Sequence, residues 1–260
     1  LELTYPTVGS PAIPFFSVMY PVAVYEYIEH TGDKSILKTT MPTMLKIMQN
    51  FKERIDKNGL IKSFPAPYWN FYEWTDGSAD AIPTEKRYVY TEYYHIIIDC
   101  AFVYSGERFK KMCDMAGIEF DCDFERIRNA VVREFYDEKT GLFSLRSDDK
   151  SIKSQLGNAF ALLIGLGDKR TAEAIKNDAT LTETSLSMLT YKYDALLAFD
   201  PQNKKFVLDD IRRLYGYMLN HGATSFWETI KGESDFYNAG SLCHGWSAMP
   251  VYYYHLFNNG

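Results

Sequence analysis

Apolar residues recur along this chain at steps of three and four, the spacing that gathers them on one face of a helix. Over 13–31 the stripe is Phe15, Val18, Met19, Val22 and Tyr25. Pro14 suits a first helical turn, Pro21 predicts a kink, and Gly32 predicts a C-terminal stop. Over 34–56 the stripe is Leu37, Met41, Met44, Met48, Phe51 and Ile55. Segment 84–104 carries Val89, Tyr93, Ile96, Ile97, Cys100 and Tyr104 and is expected to end at Ser105-Gly106, with a short helical piece at 106–116. Segment 123–138 carries Phe124, Ile127, Val131 and Phe135 and stops at Gly141. Segments 153–166, 168–177, 184–199, 203–220 and 241–257 follow the same period. No alternating run is long enough for a sheet; a short strand pair is expected from 60–64 and 142–145.

The connections carry more information than the helices. Those at 30–33, 105–107, 165–168 and 199–202 are short; those at 57–83, 139–152, 179–183 and 221–240 are longer. Antiparallel helices joined in this alternation place the short turns at one end of the assembly and the long loops at the other. Long loops in a compact domain commonly serve a site. The expected fold is therefore all-α: an (α/α)6 toroid of helical hairpins, with about nine of its twelve helices present and the others preceding Leu1. Residues 1–260 read as one partial domain. The chain starts at Leu1, without a methionine, and no signal peptide is visible, so a piece of something longer is expected.

Composition narrows the partners. Hydrophobic residues are 46% and charged residues 24%, so the chain can bury a core and is not disordered. The net charge is −6 and no basic stripe occurs, which argues against nucleic acid and anionic membrane. Apolar runs are too short to span a bilayer. Cys100 and Cys243 fall in apolar helical runs and read as small core residues; a Cys113–Cys122 disulfide stays open. No G-x-G-x-x-G, phosphate loop or G-x-S-x-G elbow appears, so no nucleotide cofactor and no serine nucleophile is expected.

Aromatics make up 16% of the chain, and two long loops hold an unusual share together with acids. The first reads Tyr68-Trp69-Asn70-Phe71-Tyr72-Glu73-Trp74-Thr75-Asp76, followed by Asp80. The second reads Ser225-Phe226-Trp227-Glu228-Thr229, followed by Glu233, Asp235, Phe236 and Tyr237. All four tryptophans (Trp69, Trp74, Trp227 and Trp246) lie in or beside these loops. Indoles among polar residues suit a ligand with flat apolar faces and hydroxyl edges, such as a sugar. The alternative is that the loops fold over the toroid end and their aromatics form a small core of their own. Glu228 adjoins Trp227; a carboxylate packed on an indole loses hydration and moves toward the pKa of a general base. Glu73, between Tyr72 and Trp74, has the same local chemistry and is the rival. His244, at the start of the last predicted helix, could donate to a sugar hydroxyl or be structural. Glu92-Tyr93-Tyr94-His95 matches the Glu-x-x-His step of di-metal bundles, but no second copy exists and no metal is expected.

Leu219-Asn220-His221-Gly222-Ala223-Thr224-Ser225-Phe226-Trp227-Glu228 and Gly240-Ser241-Leu242-Cys243-His244-Gly245-Trp246 resemble the end of the catalytic domain of bacterial α-L-rhamnosidases (glycoside hydrolase family 78). That family shows Gly-Ala-Thr-Thr-x-Trp-Glu and then Ser-Leu-Asn-His. Tyr27 to Phe51, the Tyr72–Trp74 loop and Gln155 in the third inner helix look like earlier parts of the same domain. The resemblance implies hydrolysis of a terminal α-L-rhamnoside with inversion, by two carboxyl groups roughly 6.5–9.5 Å apart. Glu228 matches the general base and His244 the sugar-binding histidine; Trp74 looks like a tryptophan of the sugar pocket. Trp227, Glu73 and Trp69 complete the expected substrate-binding set. The family's general acid stands in an Asp-Glu-Arg-x-x-Trp motif that this sequence lacks; Glu85-Lys86-Arg87-Tyr88 does not fit, and Cys243 replaces the usual Asn. The 260 residues alone are expected to be inactive or severely impaired on rhamnosides.

Two other readings compete: a non-catalytic carbohydrate-binding toroid, and another toroid glycosidase or lyase. Enzymes for acidic sugars need cations at the rim, whereas these loops offer Lys57, Lys62 and Lys231 against four or more acids. That favours a neutral carbohydrate. A homodimer stays open, as does the compartment, periplasmic or cytoplasmic in a bacterium.

Overall fold

The computed structural model describes residues 11–83 and 88–258. Among them are nine helices of nine or more residues: α1 (Pro14–Thr31), α2 (Leu37–Glu53), α3 (Ile96–Ala116), α4 (Phe124–Phe135), α5 (Gln155–Leu163), α6 (Lys169–Asn177), α7 (Leu189–Phe199), α8 (Lys204–Asn220) and α9 (Pro250–Asn258). Helices α1, α3, α5 and α7 stand side by side as an inner rank; α2, α4 and α6 pack on its outside, and α8 lies against α9. This is the all-α arrangement of hairpins in a toroid. No helix among the described residues is long and apolar enough to cross a membrane.

Burial follows from which rank a helix occupies. The first turns of α3 are buried on every side, from Ile96 through Gly106, because helices or loops cover them all round. Outer helix α4 shows one apolar stripe, Phe124, Ile127, Ala130, Val131 and Phe135. The ends are set by local chemistry. Pro14 opens α1, and Gly32 closes it at φ 70° with its N–H on the Ile28 carbonyl. Asp123 caps α4, and Asp168 and Thr171 form a reciprocal box on α6. Helix α1 runs unbroken through Pro21.

The structure corrects several expectations. Residues 96–116 form one helix, with no stop at Ser105-Gly106. Gly106 is there for contact: a Cβ on it would lie 2.3 Å from Cζ of Phe124. Residues 88–95 are extended, with Tyr93 donating to and accepting from Ser63, so Val89 and Tyr93 share no helix with Ile96. Residues 84–87 lie outside the described set. The true short turn is 117–123, and with it the alternation holds: 32–36, 117–123, 164–168 and 200–203 at one end, 54–95, 136–154, 178–188 and 221–249 at the other. The strand at Leu142–Phe143 (β2) pairs with Tyr136–Asp137 (β1) across the Gly141 turn, and 60–64 makes isolated bridges to Ile55 and Tyr94 instead. The last helix begins at Pro250, nine residues later than its expected start at 241, because a proline opens a helix well and continues one badly. Cys243 is exposed, since it precedes that helix and sits in the loop; Cys113 and Cys122 are both free thiols.

Candidate functional site

The long-loop end brings together segments far apart in sequence. In the first loop, the amide of buried Asn70 accepts from the Phe64 N–H (2.8 Å) and donates to the Phe64 carbonyl (2.9 Å) and to Asp80 (3.1 Å). The Trp69 indole donates to the Asp80 carbonyl at 2.9 Å, and the Tyr93 hydroxyl and Arg146 hold the Asp80 carboxylate. These bonds fold the loop into a shelf. Trp69, Phe71 and Tyr72 are buried within it, and Trp74 stands out of it, 38% exposed.

The second loop is closed by backbone bonds. The Glu228 N–H donates to the Ser241 carbonyl at 2.9 Å, and the His244 N–H to the Phe226 carbonyl at 2.7 Å. Glu228 and His244 thus lie on two segments tied by backbone bonds, and Ser241 N–H also approaches Glu228 Oε2 at 3.4 Å. Both residues are half-buried. His244 precedes a short turn at 245–248, several residues ahead of α9, and does not open a long helix. At the loop tip Phe236, Tyr237 and Asn238 all have positive φ (51°, 60° and 64°), a conformation that costs an L-residue about 1–2 kcal/mol.

The two loops meet through aromatic rings. Phe236 lies 4.7 Å from Trp74 between ring centroids, Trp74 lies 4.6 Å from Phe71, and Phe71 lies 6.1 Å from Phe16 at the start of α1. Phe16 is 5.1 Å from Trp246, and Trp246 is 5.2 Å from His244. A chain of rings therefore runs from the first loop to the histidine. Of the expected site residues, Glu228 stands in the second loop with its N–H on the Ser241 carbonyl, while Trp74 and His244 lie on this chain of rings. Trp69 is buried beneath it, 6.0 Å from Trp74. Trp227 is half-buried along Gly232, where a Cβ would lie 3.0 Å from its ring. Glu73 is wholly buried; Ser185 N–H donates to its Oε2 at 2.8 Å, and burial pushes its pKa up to about 7 against the lowering pull of Ser185, Thr75 and Lys192.

Sequence reasoning missed Phe16 as a site residue and Ser185 as the partner of Glu73. The signal for Phe16 was available: of the adjacent pair Phe15-Phe16 at a helix start, one side chain is buried in the core and the other reaches the rim. Gln155 opens inner helix α5 and accepts from Thr184 N–H at 3.2 Å, beside that same Ser185. The Glu-x-x-His step is taken up elsewhere. Glu92 pairs with Lys62 at 2.7 Å, and buried His95 stacks on Tyr72 with Nε2 at 3.3 Å from the Gly77 carbonyl. Burial holds His95 near pKa 3, so it is neutral.

A family model, the bacterial alpha-L-rhamnosidase 6 hairpin glycosidase domain, matches residues 5–257. No curated protein sequence matches significantly. Among solved structures, a GH78 family rhamnosidase of Bacillus sp. GL1 is similar at 22% identity and TM-score 0.77, over 96% of this chain and 27% of that one. A rhamnosidase from Klebsiella oxytoca with rhamnose bound aligns at 15% identity and TM-score 0.77, over 99% and 50%. A Streptomyces avermitilis alpha-L-rhamnosidase complexed with L-rhamnose aligns at 17% identity and TM-score 0.61, over 92% and 22%. The chain thus spans half or less of the length of these structures.

Proposed function

Because this chain belongs to the bacterial α-L-rhamnosidase six-hairpin glycosidase family, we propose that its long-loop end is the sugar site of an inverting α-L-rhamnosidase. In this reading Trp74, Phe236 and Trp246 cover the apolar face and methyl group of a terminal rhamnose. His244 donates to a hydroxyl, and Glu228 removes a proton from the attacking water as general base. Trp69, Trp227 and Glu73 support that surface from below. The observation that carries the reading is the ring chain from Trp74 through Phe71, Phe16 and Trp246 to His244, which joins three segments otherwise distant in sequence.

Protonation of the leaving oxygen needs a second carboxyl group, and the family's Asp-Glu-Arg-x-x-Trp motif does not occur in these 260 residues. The chain alone is therefore expected to bind L-rhamnose without turning over an aryl α-L-rhamnoside, and measurable turnover by it would refute the assignment of the acid. That same absence favours one second reading, a carbohydrate-binding toroid. Glu228→Gln separates the two in the longer gene product that encodes this segment. It should lower kcat by about 10²-fold or more with little change in rhamnose affinity if Glu228 is the base. Unchanged kcat would remove Glu228 from that role.

A further inference from the structure

Three buried oxygens on neighbouring segments lack a hydrogen-bond partner: Glu73 Oε1, Thr184 Oγ1 and Ser247 Oγ. Glu73 Oε2 holds Ser185 N–H, Thr184 and Ser185 lead into the short turn at 186–188, and that turn packs against the 245–248 turn that follows His244. A fully buried carboxyl thus links the residue before Trp74 to the support of His244 through one hydrogen bond. We propose that Glu73 is a positioning residue of the sugar site: its carboxyl pins the Trp74 wall to the 184–188 segment and, through it, to the turn beside His244. This rests on the sugar-site reading above.

The geometry also makes the clamp responsive to protons. An ionised Glu73 would leave a charged, unexposed Oε1 without a donor, which buried groups avoid. The charged group that acts on it is Lys192 of α7, whose ammonium is already held by Asp210 of α8 at 2.9 Å; the Ser185 N–H supplies a neutral bond to Oε2. The closed clamp therefore favours the neutral acid. Its pKa is raised from 4.5 to about 7, so closure is fully favoured below 4.5 and weakens as pH rises toward 7, with no further loss above it.

Hydrogen exchange at the Ser185 amide reads the clamp, and calorimetric titration with L-rhamnose reads its use. In the native chain the protection factor of Ser185 should fall by about tenfold or more between pH 5.5 and 7.5. In Glu73→Gln, whose amide mimics the neutral acid, it should stay flat. Rhamnose affinity at pH 5.5 should be within about twofold of native in Glu73→Gln and at least about tenfold weaker in Glu73→Ala. Native-like affinity in folded Glu73→Ala, or the same pH profile in the native chain and Glu73→Gln, overturns the proposal. If Glu73→Ala does not fold, the comparison of native with Glu73→Gln decides it. Should the native chain bind no rhamnose, the site reading and the positioning role fall together, while the Ser185 profile still decides whether the clamp exists.

Discussion

The two aromatic loops are built by different means. The first is held by side chains. Asn70 bonds both polar groups of Phe64, Trp69 bonds the Asp80 backbone, and buried Asp99 of α3 accepts the Ile61 N–H at 2.8 Å. Its residues from Trp69 to Glu73 are all buried, so it behaves as an extension of the core. The second loop is held by backbone bonds across it and has a left-handed tip, where Tyr237 is fully exposed. On the proposed sugar-site reading, the contrast separates two tasks. A wall that fixes a ring must be immobile, and core-like packing supplies that. Residues that admit a ligand need a cheaper, locally strained frame, and strain of this kind gathers at functional loops.

Asn70→Ala is the hardest test of this difference. It removes three bonds and leaves the buried Phe64 N–H and carbonyl without their partner. The cost is about 3 kcal/mol, which lowers the melting temperature by about 6–12 °C for a chain of this size. Rhamnose affinity should fall with it, because the shelf under Trp74 is lost. A calorimetric melting shift under 2 °C would mean that the first loop is not core-like.

Trp74→Ala comes next. The ring is partly exposed, so the change should cost little stability while removing the face proposed to stack on the sugar. Affinity for L-rhamnose should weaken by about tenfold, equivalent to about 1.4 kcal/mol. Equal losses of stability and affinity would place Trp74 with Trp69 in the support, and unchanged affinity would remove it from the site.

The sequence carried the scaffold well and the loops poorly, for physical reasons. Over 13–31, 34–56 and 123–138 the helix period is local, as are Pro14 at a first turn and Gly32 at a stop, and each produced the element it predicted. Gly106 misled because a glycine that admits a neighbouring ring looks the same in sequence as one that ends a helix, and Phe124 is eighteen positions away. The extended stretch before Ile96 was misread for a similar reason: Val89 and Tyr93 have helical spacing, but the Tyr93 backbone bonds to Ser63. Around the candidate site, the aromatic composition marked two loops whose rings meet. It could not show that Trp69 faces inward and Trp74 outward, since that depends on Asp80 accepting one indole's proton. The Glu73–Ser185 bond spans 112 positions and left no local trace.

The smallest effect should have the opposite sign. Tyr237 sits at φ 60° with its side chain in solvent, so it bears left-handed strain without a visible return. Tyr237→Gly removes a strain of about 1–2 kcal/mol. It also adds about 0.5–1 kcal/mol of backbone freedom to the unfolded chain. The first effect is the larger, so stability should rise by up to about 1 kcal/mol and the melting temperature by about 2–4 °C. No comparable gain is available in the first loop, where the buried residues each close a bond or fill the core. A fall in melting temperature would show that the Tyr237 side chain is engaged by the fold. An unchanged melting temperature with weaker rhamnose binding would show instead that the strained tip carries its tyrosine for the ligand.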